Sequence, residues 1–182
     1  MSYETGTTPE ARKEQWLAEL RSFIVEANRN TWATEGAEVE PQRPRYKEFE
    51  YRNGSWVLRD SCAGYFRAPG MTTVYYKDAP AWTMQYGGHG QSEGHEAHAK
   101  RTFNFLKAAL MRVSPELPFR GPEEYVEGDS AYHFTMMAGD INEGLWREAI
   151  TEHGELTFTQ TGIVGTVIGK DANRLPIYPW NL

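Results

Sequence analysis

The feature that most limits how this chain can fold is a shift of 74 residues that lays one run of strand and turn signals on another. Under it Glu50-Tyr51 falls on Glu124-Tyr125, Gly54 on Gly128, Leu58 on Tyr132 and Gly70 on Gly144. Met71 falls on Leu145, Tyr76 on Ile150, Trp82 on Leu156, Met84 on Phe158 and Gly88 on Gly162. One register thus serves three strands and their turns. A helical pattern precedes each run, with Leu20 matching Leu106 at a longer shift. The order predicts two α-βββ units whose apolar faces are insufficient alone and join into one antiparallel sheet with two long helices on one face. The fold class expected is therefore α+β: a single domain over 1–182, with halves at about 9–90 and 91–169 and a C-terminal tail at 170–182.

The local signals agree. Thr7 or Thr8 can cap a helix over 9–29, Pro9 suits its first turn, and Glu10 its positive end. Trp16, Leu17, Leu20, Phe23, Ile24 and Ala27 form its apolar stripe. A polar loop is expected over 34–45, then strands at 46–52, 55–60, 72–77 and 81–86, with Asn53-Gly54 a hairpin turn. A second helix is expected over 93–113, with Phe103, Leu106, Leu110 and Val113 on one face. PFRGPEE reads as an irregular connection, and strands resume at 130–137, 145–151, 155–160 and 163–168. The prolines of LPIYPWNL forbid a central strand, so Ile177, Tyr178 and Trp180 are expected to pin the tail over a groove.

Composition excludes several functions. With 182 residues, 19 Lys+Arg against 25 Asp+Glu and a net charge of −6, the chain lacks the basic footprint of a nucleic-acid binder. Its single cysteine, Cys62, fits a reducing, cytoplasmic compartment, and no apolar run is long enough for a membrane span or a secretion signal.

Side chains alternate across a strand, which sorts the faces. Trp56, Leu58 and Asp60 share one, as do Trp82, Met84 and Tyr86, then Tyr132, Phe134 and Met136, and finally Leu156 and Phe158. Aromatic residues make up 13% of the chain, and large rings on these faces suit either an aromatic-rich core or the wall of a small-molecule pocket. In the pocket reading Trp56, Trp82, Tyr86, Tyr132 and Phe158 form the wall and Asp60 the polar anchor. Asp60 stands out because alternation carries a carboxylate to an apolar face, where it can serve as a base or hold a ligand. The alternative is a turn cap or an arginine partner.

Other candidate chemistry is weaker. His89, His95 and His98 lie near Glu93 and Glu96, but HEAHA lacks the zinc-protease spacing, so a solvated helix start is expected and no metal. His133 and His153 read as surface residues, and CAGYF around Cys62 matches no thiol-enzyme pattern. GGHG and GIVG fit neither phosphate-loop nor dinucleotide motifs, so no cofactor is expected.

At EYRNGSWVLRDSCAGYFRAPGMTTVYYKDAPAWTMQYGG, then FLKAALMRV and FRGPEEYVEGDSAYHF, the chain resembles a bacterial family of domains of unknown function. Members often follow an Xre-type helix-turn-helix in transcription regulators and also occur alone. The features that carry the resemblance are Glu50, Tyr51, Gly54 and Asp60, the Val74-Tyr75-Tyr76 strand, Trp82, Met84, Tyr86, Gly87 and Gly88, and the loop Arg120, Gly121, Pro122, Glu124 and Tyr125. It runs from about Trp16 to Gly165, and departs at Cys62-Ala63, where members tend to carry an aromatic. No helix-turn-helix is read here. The resemblance implies a sensing role and no particular chemistry. The expected function is a sensor-like small-molecule-binding domain, its ligand cationic or aromatic. The alternatives are an isomerase or hydro-lyase-type enzyme with Asp60 as general base, or a homodimeric interaction module using a sheet edge.

Overall fold

The first helix starts where its chemistry dictates. Thr8 caps α1 (Pro9–Asn30), its hydroxyl accepting the Ala11 amide at 3.2 Å, with Pro9 in the first turn and Glu10 beside the orphan amides. Its stripe of Trp16, Leu17, Leu20, Phe23, Ile24 and Ala27 is buried. The computed structural model describes residues 7–31, 38–90 and 94–182. The start of the expected polar loop and the expected helix start at Glu93 lie outside the described residues.

After α1 come β1 (Glu38–Val39), β2 (Tyr46–Asn53), β3 (Trp56–Ala63), β4 (Gly70–Tyr76) and β5 (Ala79–Gly90). Then follow α2 (His95–Leu110), β6 (Glu124–Glu127), β7 (Ser130–Gly139), β8 (Glu143–Glu152) and β9 (Glu155–Thr166). These nine strands form one antiparallel sheet in the order β1-β2-β3-β4-β5-β9-β8-β7-β6. Two meanders therefore meet at a central β5–β9 pair, which runs from Trp82 opposite Thr166 to Gly90 opposite Phe158. The first helix precedes five strands of this sheet, β1 to β5, and the second precedes four, β6 to β9, rather than the three of each expected unit. The strand β6 gave little signal because it is four residues long, sits at an edge and leaves Val126 58% exposed. The expected break between 155–160 and 163–168 is likewise absent, since β9 continues through Gly162.

Both helices cover the same sheet face. Phe23 of α1 stacks on Trp56, and Phe103 of α2 meets Phe158 edge-on at 5.8 Å. One apolar cluster takes side chains from α1, α2 and both meanders, with Leu20, Leu58, Val74, Trp82, Tyr132 and Trp146 fully buried. The helix ends are tied together, because Asn28 donates to the Pro118 carbonyl at 3.1 Å and Arg29 to the Val113 carbonyl at 2.8 Å. The tail pairs as β10 (Gly169–Lys170) with β11 (Pro176–Ile177), and Trp180 then lies 6.0 Å from Trp16 of α1. Among the described residues no helix is long and apolar enough to cross a membrane.

The central seam depends on one small residue. Gly162 lies opposite Tyr86 on β5 and Trp146 on β8, and a Cβ there would sit 2.3 Å from the Gln85 carbonyl oxygen and 2.5 Å from the Trp146 ring. Because one obstacle is backbone, the seam must open to admit a methyl group. Gly162→Ala is expected to cost about 1–3 kcal/mol or more, measured by urea unfolding.

Candidate ligand-binding site

Strand β3 carries Asp60 to the helix-covered face by simple alternation from the fully buried Leu58. Register places Phe49 of β2 on one side of it and Thr72 of β4 on the other. The Thr72 hydroxyl donates to Asp60 Oδ1 at 2.6 Å. From β5, the Tyr86 hydroxyl reaches Oδ1 and Oδ2 at 3.1 and 3.0 Å. That reach needs Gly70, which lies across from Tyr86, because a Cβ there would fall 2.4 Å from the end of the tyrosine ring.

The environment shifts the three titratable groups Asp60, Tyr86 and Cys62. Asp60 is 5% exposed, and burial raises its pKa, opposed by the Thr72 and Tyr86 hydrogen bonds and the more distant Arg120 charge. Burial, then the Asp60 charge, holds the Tyr86 hydroxyl well above its ordinary value. The Cys62 thiol, two residues beyond Asp60 on β3, is pushed up to about 11 by burial and by Asp60, which makes it a poor nucleophile.

A second network lies alongside. Arg120, in the connection from α2 to β6, donates to both carboxylate oxygens of Glu148 on β8, at 2.9 and 2.5 Å. Tyr132 of β7 donates to Glu148 Oε2 at 2.8 Å, and Gln160 of β9 to Oε1 at 2.9 Å. Burial alone would lower the Arg120 pKa, but the Glu148 charge and hydrogen bonds reverse this and hold it above its ordinary value. Burial and Glu148 likewise raise the Tyr132 hydroxyl. This bidentate pair is satisfied on both sides.

Between the sheet and α2 lies a cavity of about 440 Å³. Asp60, Thr72, Met84, Tyr86, Phe158 and Gln160 contribute from the strands. Phe103, Asn104, Leu106 and Leu110 contribute from α2, and Arg120 from the connection beyond it. Tyr65 and Phe66, in the connection between β3 and β4, complete one side, with Tyr65 edge-on to Phe103 at 5.1 Å.

Of the residues expected at the site, Asp60, Tyr86 and Phe158 line this cavity, and three others do not. Trp56 lies beneath α1 among Trp16, Phe23 and Tyr76. Trp82 is fully buried in solid packing, its indole donating to the Ile141 carbonyl at 2.8 Å. Tyr132 is fully buried too and spends its hydroxyl on Glu148. Alternation assigns the face but carries no information on position along the sheet: Trp82 and Tyr132 sit where helix or loop packs tightly on it, while Trp56 is half-buried and lines a separate hollow beside α1 with Phe23 and Tyr76. Leu156 also departs from the expected pattern. A bulge between Ile150 and Thr151 leaves Thr157 and Phe158 both buried and Leu156 38% exposed.

Reading the sequence missed the contribution of α2 and of Arg120. Phe103, Leu106 and Leu110 carried a helical signal but were indistinguishable from core. The loop motif singles out Arg120 but carries no sign of its partner Glu148. The histidines are a correction as well, because His95 is buried at 5% exposure against Phe103 rather than solvated. Burial and the neighbouring His98 lower its pKa. Glu93 lies outside the described residues, and among those described no three His, Cys, Asp or Glu side chains stand together as a metal site. His133 and His153 are exposed, as expected.

Fold and site together define an α+β protein: a single broad antiparallel sheet, two helices on one face, and a ring-lined cavity holding one buried acid. The chain belongs to the family described as a domain of unknown function, DUF5680, which matches residues 60–167. No curated protein and no solved structure matches it.

Two measurements follow. Because burial makes Asp60 release its proton at a higher pH in the folded chain than in the unfolded chain, where it does so near pH 3.9, its contribution to stability is complete below that pH. That contribution is lost as pH rises through the raised folded value. The stability of Asp60→Asn relative to the native chain is therefore expected to increase with pH over this window, by at most ~1.4 kcal/mol per unit, in urea unfolding across a pH series. Glu148→Gln leaves the Arg120 charge buried without its carboxylate and is expected to cost about 3–5 kcal/mol in the same assay.

Proposed function

We propose that this chain is a small-molecule-binding, sensor-like domain whose ligand occupies the cavity beneath α2 and hydrogen-bonds to Asp60 and Tyr86. The observation that supports it is a contrast among the three buried carboxyl residues found in the described part of the chain. Glu48 has Arg59 at 3.3 Å and Glu148 has Arg120 at 2.5 Å, whereas Asp60 has hydroxyls alone within hydrogen-bond reach. Burying a carboxyl without a counter-ion costs stability, and its place on a cavity wall gives that cost a use. Rings on the same wall supply the apolar contact area of a drug-sized ligand site. The resemblance to domains that follow helix-turn-helix regulators inclines the reading towards sensing.

A second reading draws on the same pair. An isomerase or hydro-lyase-type enzyme with Asp60 as general base needs another polar group within hydrogen-bond reach, and Tyr86 at 3.0 Å meets that requirement. Burial moves Asp60 towards the range of a working base, but both of its oxygens already accept from hydroxyls. The dimer reading has less to support it, because among the described residues the sheet's edge strands β1 and β6 are two and four residues long, and short edges discourage strand pairing. We also read the two meanders as copies of one unit. In support, Gly54 and Gly128 occupy the matching hairpin turns with φ of +57° and +59°.

A thermal-shift screen of ring-bearing compounds of differing charge tests the binding reading. A ligand at 100 times its Kd is expected to add about 2.7 kcal/mol of stability. Leu106→Trp, which fills the cavity from α2, is expected to fold and to abolish the shift. A shift that persists in Leu106→Trp, or no shift with any compound, would contradict the reading. Chemical conversion of the bound compound would favour the enzyme.

A further inference from the structure

We propose that the ligand of this cavity is an organic anion, with an apolar body inside and a carboxylate held by Lys47 and Lys100. This rests on the binding reading above and adds to it the charge and orientation of the ligand.

Three lysines line the cavity, Lys47 from β2 and Lys100 and Lys107 from α2, while Asp60 is the single carboxylate among its described lining residues. In a chain of net charge −6 this is a local reversal of sign. Lys100 and Lys107 are seven residues apart on α2, on the same stripe as Phe103 and Leu106; Lys100 is exposed and Lys107 half-buried. Lys47 approaches from the opposite wall, since β2 places it directly across from Cys62. Lys47 and Lys100 are exposed, and neither has an ion pair within the described residues.

The rest of the lining sets the direction. Arg120 is matched by Glu148 behind the wall, so its charge is already balanced. Asp60 repels a second carboxylate from the inner end, where Tyr86 and Thr72 offer hydroxyl contacts. Phe49, Met84, Phe103 and Phe158 meet an apolar body between the two ends. A cationic ligand, which the aromatic composition alone suggests, would have to pass the lysines. An amphipathic acid is drawn in by them.

The test is calorimetric titration of the full chain with a matched set sharing one body: 4-phenylbutyrate, its neutral amide, and a phenylpropyl trimethylammonium salt. The acid is expected to bind at least about tenfold more tightly than the amide, and the cation more weakly than either. That preference is expected to shrink as salt rises from roughly 0.01 M to 1 M, where the screening length falls to about 3 Å. Lys47→Gln with Lys100→Gln, both at exposed positions, is expected to bring acid and amide to equal affinity while leaving amide binding intact. Equal binding of acid and amide to the native chain, or tighter binding of the cation, would overturn the anion inference and leave the binding reading standing. If none of the three binds and the broader screen also finds no ligand, both fail. A preference for the acid that survives in the double lysine variant would overturn the role given to these two residues.

Discussion

A carboxyl group taken out of water with no ion pair among the described residues is the constraint around which this structure is arranged. Asp60 is affordable only because β3, β4 and β5 are neighbours in a fixed register. Thr72 stands directly opposite it, and Tyr86 extends from the next strand across the bare backbone of Gly70. A one-residue slip of β4 would turn Thr72 to the other face and leave the acid with half its partners. The same register puts Met84 in line with Thr72 and Val164 in line with Met84, so the floor of the cavity continues across the central seam into the second meander.

The molecule handles its other buried acids differently. Glu148 is enclosed by Arg120, Tyr132 and Gln160, a set that joins the α2–β6 connection to three strands and leaves no charge over. Glu48, on the opposite face of β2, has Ser61 at 3.0 Å and Arg59 at 3.3 Å. Both arrangements can be explained by folding alone, since each charge is matched where it is buried. Asp60 has hydroxyl partners and no ion pair among the described residues, and it is the one of the three that opens onto the cavity. Burial, hydrogen bonding and position therefore bear on the same residue.

Much of the architecture was legible in the sequence because its signals are local. The stripe of α1, its Thr8 cap, the Asn53-Gly54 turn and the alternation through Leu58 and Asp60 each depend on residues close together in the chain. The site was less legible because it is made by contacts between distant segments. Nothing near Trp82 says that Ile141 will accept its indole proton, and nothing near Arg120 says that Glu148 will meet it. Bulges erase the parity on which face assignment depends, which is how Leu156 was turned outward. A four-residue edge strand such as β6, with Val126 facing solvent, lacks the length for alternation to register. His95, in a polar glycine-rich stretch, becomes buried only because Gly90 leaves room for its ring, a contact no periodic pattern encodes.

The most direct test of the central claim is the titration of the Asp60 carboxyl itself, followed by carbon-13 NMR of the folded protein with Asp60→Asn to assign the resonance. An acid buried beside a cavity and held by hydroxyls alone should titrate clearly above the ordinary aspartate value of about 3.9. A midpoint at or below that value would mean that water or a cation reaches it, and would contradict the account.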